Sequence, residues 1–156
     1  MRRSDREVTD ETVIDEIINS CDSIRLGMCD GNIPYVVPLS FGYRNADGRR
    51  TFFFHCAKVG RKLDIISKFP KVCFELDSGY EIKPSDKACG YTAAYKSIIG
   101  YGNVSVVEEP EKKEEAMQTV MKKYSGRDDW SFNEAQLMAV CVLKLDVTEL
   151  SCKVHL

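Results

Sequence analysis

Apolar runs of strand length, each closed by a glycine, proline or Asx turn, recur along most of this chain, and that punctuation limits the folds open to it. Ile24 to Cys29, Ile33 to Tyr43, Thr51 to Ala57, Val72 to Leu76, Tyr95 to Val107 and Leu137 to Val147 read as strands. Few helices separate them, so a parallel sheet with crossover helices does not fit. The pattern predicts a mainly β, α+β chain of about six strands, in an antiparallel sheet that closes most simply as a small barrel with peripheral helices. Two stripes of helical period accompany the strands. Thr9 to Ser20 places Val13, Ile14, Ile17 and Ile18 on one side, and Pro110 opens a second helix with Ala116, Met117, Val120, Met121 and Tyr124 on its buried side. A shorter helical pattern, Leu63 to Phe69, ends at Pro70. Residues 77–94 are polar and weakly periodic, and read as a long loop.

Single residues sharpen this picture. Pro34 and Pro38 remove two ladder donors from one strand, which must therefore lie at an edge or carry bulges. Exposed backbone beside an apolar floor suits a flat ligand. Gly100 and Gly102 inside the longest strand run predict a bulge or sharp bend of the kind barrel corners need.

The length of 156 residues fits one domain spanning 1–156. The 22 Lys+Arg against 24 Asp+Glu leave a net charge of -2, which supplies no electrostatic drive toward nucleic acid or an anionic membrane. No apolar stretch approaches the roughly 18 residues of a membrane span, and MRRSDREVTDET has no signal-type apolar region. A cytoplasmic protein is expected. Seven cysteines cannot pair completely within one chain, and none are two or three apart, so neither a disulfide scaffold nor a zinc knuckle is indicated. Packing is the default role for all seven.

Two places could carry chemistry. Gly60, Arg61 and Lys62 stand at a helix start directly after a strand, where free N–H groups, the positive end of the helix dipole and two cations converge. Phosphate fits there, and so does an ordinary solvated basic turn. A Walker loop is absent, and Gly100-Tyr101-Gly102 lacks the third glycine of a dinucleotide fingerprint. His55 is the second place. Strand alternation points it with Phe53 and away from Phe54 and Cys56, which excludes a Cys56–His55 nucleophile pair. It reads either as an imidazole satisfied by backbone or as a site residue, and no second internal histidine supports a metal role for it. His155 is expected to be frayed and inert.

Taken together, MRRSDREV, PYVVPLSFGY at 34–43, FFFHCAKVGRKLDII at 52–66, CGYTAAYKSIIGYGNV at 89–104 and the final apolar strand resemble the nitroimidazole-resistance (Nim-type) proteins of the pyridoxamine 5'-phosphate oxidase-like family. The resemblance covers nearly the whole chain. It implies a six-stranded antiparallel split β-barrel that forms a homodimer with FMN at the subunit interface. It also implies an FMN-dependent reductase passing hydride from flavin N5 to a small acceptor such as a nitroimidazole or other nitro-aromatic. By the same resemblance, Gly60, Arg61 and Lys62 hold the FMN phosphate, while Val37, Pro38, Leu39 and Ser40 line the isoalloxazine ring. His55 then faces the flavin or the substrate, and Ser97 reaches the cofactor from the second subunit. Gly60 stands where the oxidases proper carry the serine of a Ser-Arg-Lys turn, which directs expectation away from vitamin B6 oxidation. The alternative is a non-enzymatic split barrel that binds flavin or haem, with His55 as the internal axial ligand.

Overall fold

The computed structural model describes residues 3–156. Among them, eight strands form one antiparallel sheet: β1 (Glu7–Val8), β2 (Ile24–Asp30), β3 (Ile33–Leu39), β4 (Gly42–Ala46), β5 (Arg49–Cys56), β6 (Lys71–Lys83), β7 (Thr92–Val107) and β8 (Cys141–His155). The helices are α1 (Glu11–Ser20), α2 (Arg61–Lys68), α3 (Pro110–Ser125) and α4 (Glu134–Ala139). Strand order is β3-β2-β6-β7-β8-β5-β4, with β1 paired to β8.

That order has two free ends, so hydrogen bonding does not close the sheet, yet the sheet curls on itself. Strands β5 and β6 are separated by β7 and β8, which in a flat sheet would hold them about 14 Å apart. The rings of Phe52 on β5 and Phe74 on β6 nevertheless meet at 5.2 Å between centroids. Phe41 and Tyr43 pack on Phe52 at 5.5 and 5.1 Å, extending one aromatic interior. Helix α2 bridges the opening, because it follows β5 yet buries Ile65 and Ile66 in the same core as Leu26 and Met28 of β2. The architecture is the expected class, a mainly antiparallel split barrel with peripheral helices.

Helix α1 forms where its apolar stripe predicts. The Asp10 carboxylate accepts from the amides of Thr12 and Val13, a cap worth about 1 kcal/mol. Ile14, Ile17 and Ile18 enter the barrel core. Helix α3 starts with Pro110 at its first turn and covers the outside of β5, where Phe53, Ala116, Met117, Val120 and Leu137 make a second apolar cluster. As the prolines require, β3 lies at a sheet edge and pairs only with β2. At the Gly100–Gly102 bend, the register of β7 against β8 slips between Tyr101 and Gly102.

Several expectations are corrected. The barrel has eight strands, not six. The run Ile33 to Tyr43 breaks at Ser40–Phe41, where the Phe41 amide donates to the Tyr124 hydroxyl at 3.0 Å instead of to a neighbouring strand, and β1 adds a short strand of its own. The loop expected at 77–94 is mostly strand: β6 runs to Lys83 and β7 starts at Thr92, so the connection is only 84–91. The β6 half of this ribbon meets solvent, Tyr80 and Ile82 included, and only Ala94 of the β7 half is buried, so little burial imposes a period on its sequence. The strand expected from Leu137 starts at Cys141, because Asn133 and Gln136 form a reciprocal capping box that opens α4. His155 is not frayed: it lies in β8 opposite Tyr95, with Nδ1 2.7 Å from the Ala93 carbonyl oxygen. Packing does not describe all seven cysteines either, since Cys29 and Cys89 are exposed.

Candidate functional site

Strand β5 ends at Cys56, a short turn follows, and α2 opens at Arg61 with Gly60 as its N-cap. Gly60 has φ 144°, a conformation that a side chain would strain, and nothing lies within 4 Å of where a Cβ would sit. No side chain caps the helix, and while the Leu63 amide donates to the Gly60 carbonyl at 2.9 Å, the amides of Arg61 and Lys62 stay available to an anion. The turn is thus open, electropositive and reachable by backbone.

Arg61 and Lys62 leave this turn in different directions. The half-exposed Arg61 guanidinium stands over the Tyr35 ring of β3 at 4.9 Å and lies 3.9 Å from the Asp30 carboxylate. This contact joins the turn to the edge strand that carries the other expected site residues. The Lys62 ammonium instead acts on the Cys56 thiol. Burial pushes that thiol up, Lys62 pulls it back down, and the neighbouring Cys141 adds to the upward push.

Along β3, Val37 and Leu39 lean onto the core while Pro38 and Ser40 face solvent. The strand therefore offers an apolar inner side and a proline-interrupted backbone edge beside Arg61. His55 shares its side of β5 with Phe53, opposite Val142 of β8, and is exposed. Cys56 faces the barrel core, which keeps it from pairing with His55. Ser97 is elsewhere. It sits between Asp77 of β6 and Lys153 of β8, in a groove of about 360 Å³ lined also by Glu7, Tyr95, Ile99 and Ser151. A single chain therefore assembles Gly60, Arg61, Lys62 and the β3 segment into one region, with Ser97 on a separate surface.

Sequence reasoning missed a cavity of about 650 Å³ beside the turn, lined by Lys58, Leu63, Ile66, Val104, Lys113 and Cys141 among others. Its size is that of a small-molecule pocket. The Lys113 ammonium donates to the carbonyls of Leu137 and Val140, both at 3.2 Å, and so ties α3 to the junction of α4 and β8 that walls it. Its lining comes from segments far apart in the chain, so no local motif announces it. Among the described residues, no group of three or more His, Cys, Asp or Glu could hold a metal ion, and no helix is long and apolar enough to cross a membrane.

Comparison with known proteins adds the family. No curated protein matches the sequence. Among solved structures, a candidate 5-nitroimidazole antibiotic resistance protein from Bacteroides thetaiotaomicron superposes with a TM-score of 0.82 at 28% identity, covering 95% of this chain and 86% of that one. The flavocytochrome Anf3 from Azotobacter vinelandii has a TM-score of 0.82 at 17% identity, covering 100% of this chain and 72% of that one. An FAD and haem binding protein from Mycobacterium smegmatis also scores 0.82, at 14% identity over 96% and 73% of the two chains. At such identities the last two speak to the fold alone. The family model described as pyridoxamine 5'-phosphate oxidase matches residues 10–154, nearly the whole chain, and to that family this protein belongs.

Proposed function

We propose that the protein is a homodimeric FMN-dependent reductase of small acceptors, nitro-aromatic compounds such as nitroimidazoles among them. The observation that carries this reading is the open Gly60 turn at the start of α2, with Arg61 and Lys62 behind it. Its donors fit a flavin phosphate: unpaired helix amides, one planar cation and one ammonium, with no side chain in the way. Membership of the family and likeness to the B. thetaiotaomicron protein support it.

In this reading the residues divide the work. Gly60, Arg61 and Lys62 bind the phosphate. Val37, Pro38, Leu39 and Ser40 form the edge against which the ring system lies, with backbone polar groups available to its heteroatoms. Bound flavin would supply the hydride chemistry. His55, exposed beside the turn, orients the acceptor or holds a proton for it. A second copy completes the pocket. The outward face of β3 and β7 leaves Val36, Ile99 and Tyr101 exposed, and Ser97 shares that face by strand alternation. Unpaired thiols throughout fit a reducing, cytoplasmic setting.

An absorbance spectrum of the purified protein tests the reading. Flavin bands, followed by nitroimidazole-dependent reoxidation of the reduced protein, are expected. A Soret band would favour haem binding, and flavin bands without turnover would favour a non-enzymatic flavin carrier. A spectrum with neither chromophore, unchanged by added FMN, overturns the proposal.

A further inference from the structure

We propose that Cys56 and Cys141 form a reversible redox pair, oxidised to an intrachain disulfide by exchange with a small-molecule disulfide. The two residues are direct partners in the antiparallel register of β5 and β8, and both belong to the barrel core side of the sheet. Opposed residues of such a ladder hold their Cβ atoms about 4.5–5.5 Å apart, close to the about 3.5–4.5 Å that a disulfide requires. Bond formation therefore needs side-chain rotation and a small approach of the strand ends, with no change of register.

Access is also present. Cys141 lines the cavity of about 650 Å³ beside α2, which gives a reagent its route. Burial raises the Cys56 thiol overall, and the Lys62 ammonium offsets part of that rise, toward the thiolate that attacks. No other cysteines in the described structure combine these features. Cys21 and Cys152 are neighbours but fully buried, and burial pushes the Cys152 thiol up to about 11. Cys29 and Cys73 share a groove only as diagonal neighbours, since Gly27 is the residue facing Cys73. Cys89 is exposed, on the connection between β6 and β7.

The chemistry balances without a metal or flavin. One thiolate attacks the disulfide RSSR, forms a mixed disulfide and expels RS⁻. The other thiolate attacks the cysteine Sγ of that mixed disulfide and expels a second RS⁻, so the protein loses two hydrogens and RSSR becomes two RSH. The proposal is independent of the flavin reading, since the disulfide is read by mass whether or not Lys62 also holds a phosphate.

The test treats native protein with oxidised glutathione and maps the products by peptide mass spectrometry under alkylating quench. The expected product is a Cys56–Cys141 disulfide that dithiothreitol reverses. Cys56→Ser and Cys141→Ser should each trap one glutathionyl group on the remaining partner. Lys62→Gln should slow formation about 2- to 5-fold, the value of one partly exposed charge interaction. If Cys56 and Cys141 both stay reduced while Cys29 and Cys89 become glutathionylated, or if either pairs with another cysteine, the proposal is overturned.

Discussion

Replacing Arg61 and Lys62 together by alanine should separate binding from folding. If both side chains grip a phosphate, two charge-assisted hydrogen bonds are lost at about 1.5–3 kcal/mol each, or about 3–6 kcal/mol in all. At about 1.4 kcal/mol per decade, FMN affinity should fall about 10²- to 10⁴-fold. Stability should barely change. Arg61 contributes only a loose ion pair with Asp30 at 3.9 Å and a cation–π contact with Tyr35 at 4.9 Å. Each is worth about 0.5–1 kcal/mol at a half-exposed position. A chain of this length loses about 2–4 °C of Tm per kcal/mol, so a shift of only a few degrees is expected. Flavin fluorescence titration of the apoprotein gives the affinity, and calorimetry gives the melt. Unchanged FMN affinity in a folded double variant refutes the phosphate assignment, while a collapse of Tm would show that the turn is structural instead.

His55→Ala should keep FMN bound but slow acceptor reduction in single-turnover measurements, and equal rates would return His55 to a structural role. Mixing Arg61→Ala/Lys62→Ala subunits with subunits disabled at Ser97 should restore flavin binding toward half occupancy, because one shared site regains every wild-type group; no recovery removes Ser97 from the site. Asp15→Ala should cost about 3 kcal/mol in urea unfolding, since the Asp15 carboxylate accepts from Tyr43, Asn45 and Arg50 at 2.6, 2.7 and 3.0 Å, and its loss leaves the buried Arg50 side chain only Glu11, through its carbonyl at 3.4 Å and its carboxylate at 3.9 Å. Burial pushes this carboxyl up, but those three bonds outweigh it and hold the group below its ordinary value of 3.8. The contribution of Asp15 is therefore full above that value and is lost as pH falls through the lower folded one, so wild type should show the steeper acid destabilisation. Gly102→Ala should cost about 1–3 kcal/mol in the same assay, because the new Cβ would press on the Asp146 backbone and sit 2.7 Å from Leu145 Cδ1; a neutral result would mean that β8 yields there.

Features fixed by local stereochemistry are legible in the amino-acid sequence itself. Two prolines confine β3 to an edge or to bulges, and it lies at the edge; Pro110 suits the first turn of a helix, and a basic pair after glycine marks the turn that the fold leaves open. Features set by distant contacts are not legible there. The break at Ser40–Phe41 depends on Tyr124 of α3, and no window around residue 40 contains it. The β6–β7 ribbon at 77–94 buries only Ala94, so the alternation that reveals a strand does not arise. Helix α4 does have a local signal, Asn133 followed by Gln136, but the apolar run after it reads as strand from Leu137 onward. The Cys56–Cys141 pairing follows from sheet order alone, which single-sequence reasoning does not supply.

The position of β8 between β7 and β5 also governs how the chain must be made. Until Cys141–His155 has left the ribosome, β5 and β7 have no neighbour on their inner edges, and the sheet exists only as two fragments, β3-β2-β6-β7 and β5-β4. During that interval the segment Thr51–Cys56, with three consecutive phenylalanines, is the most adhesive stretch of the nascent chain. Arg49 and Arg50 stand before it and Lys58 just after it, charges that oppose strand stacking between unfinished chains. Joining of the two fragments thus waits for β8, and truncations that remove β8 should yield aggregates rather than a smaller barrel.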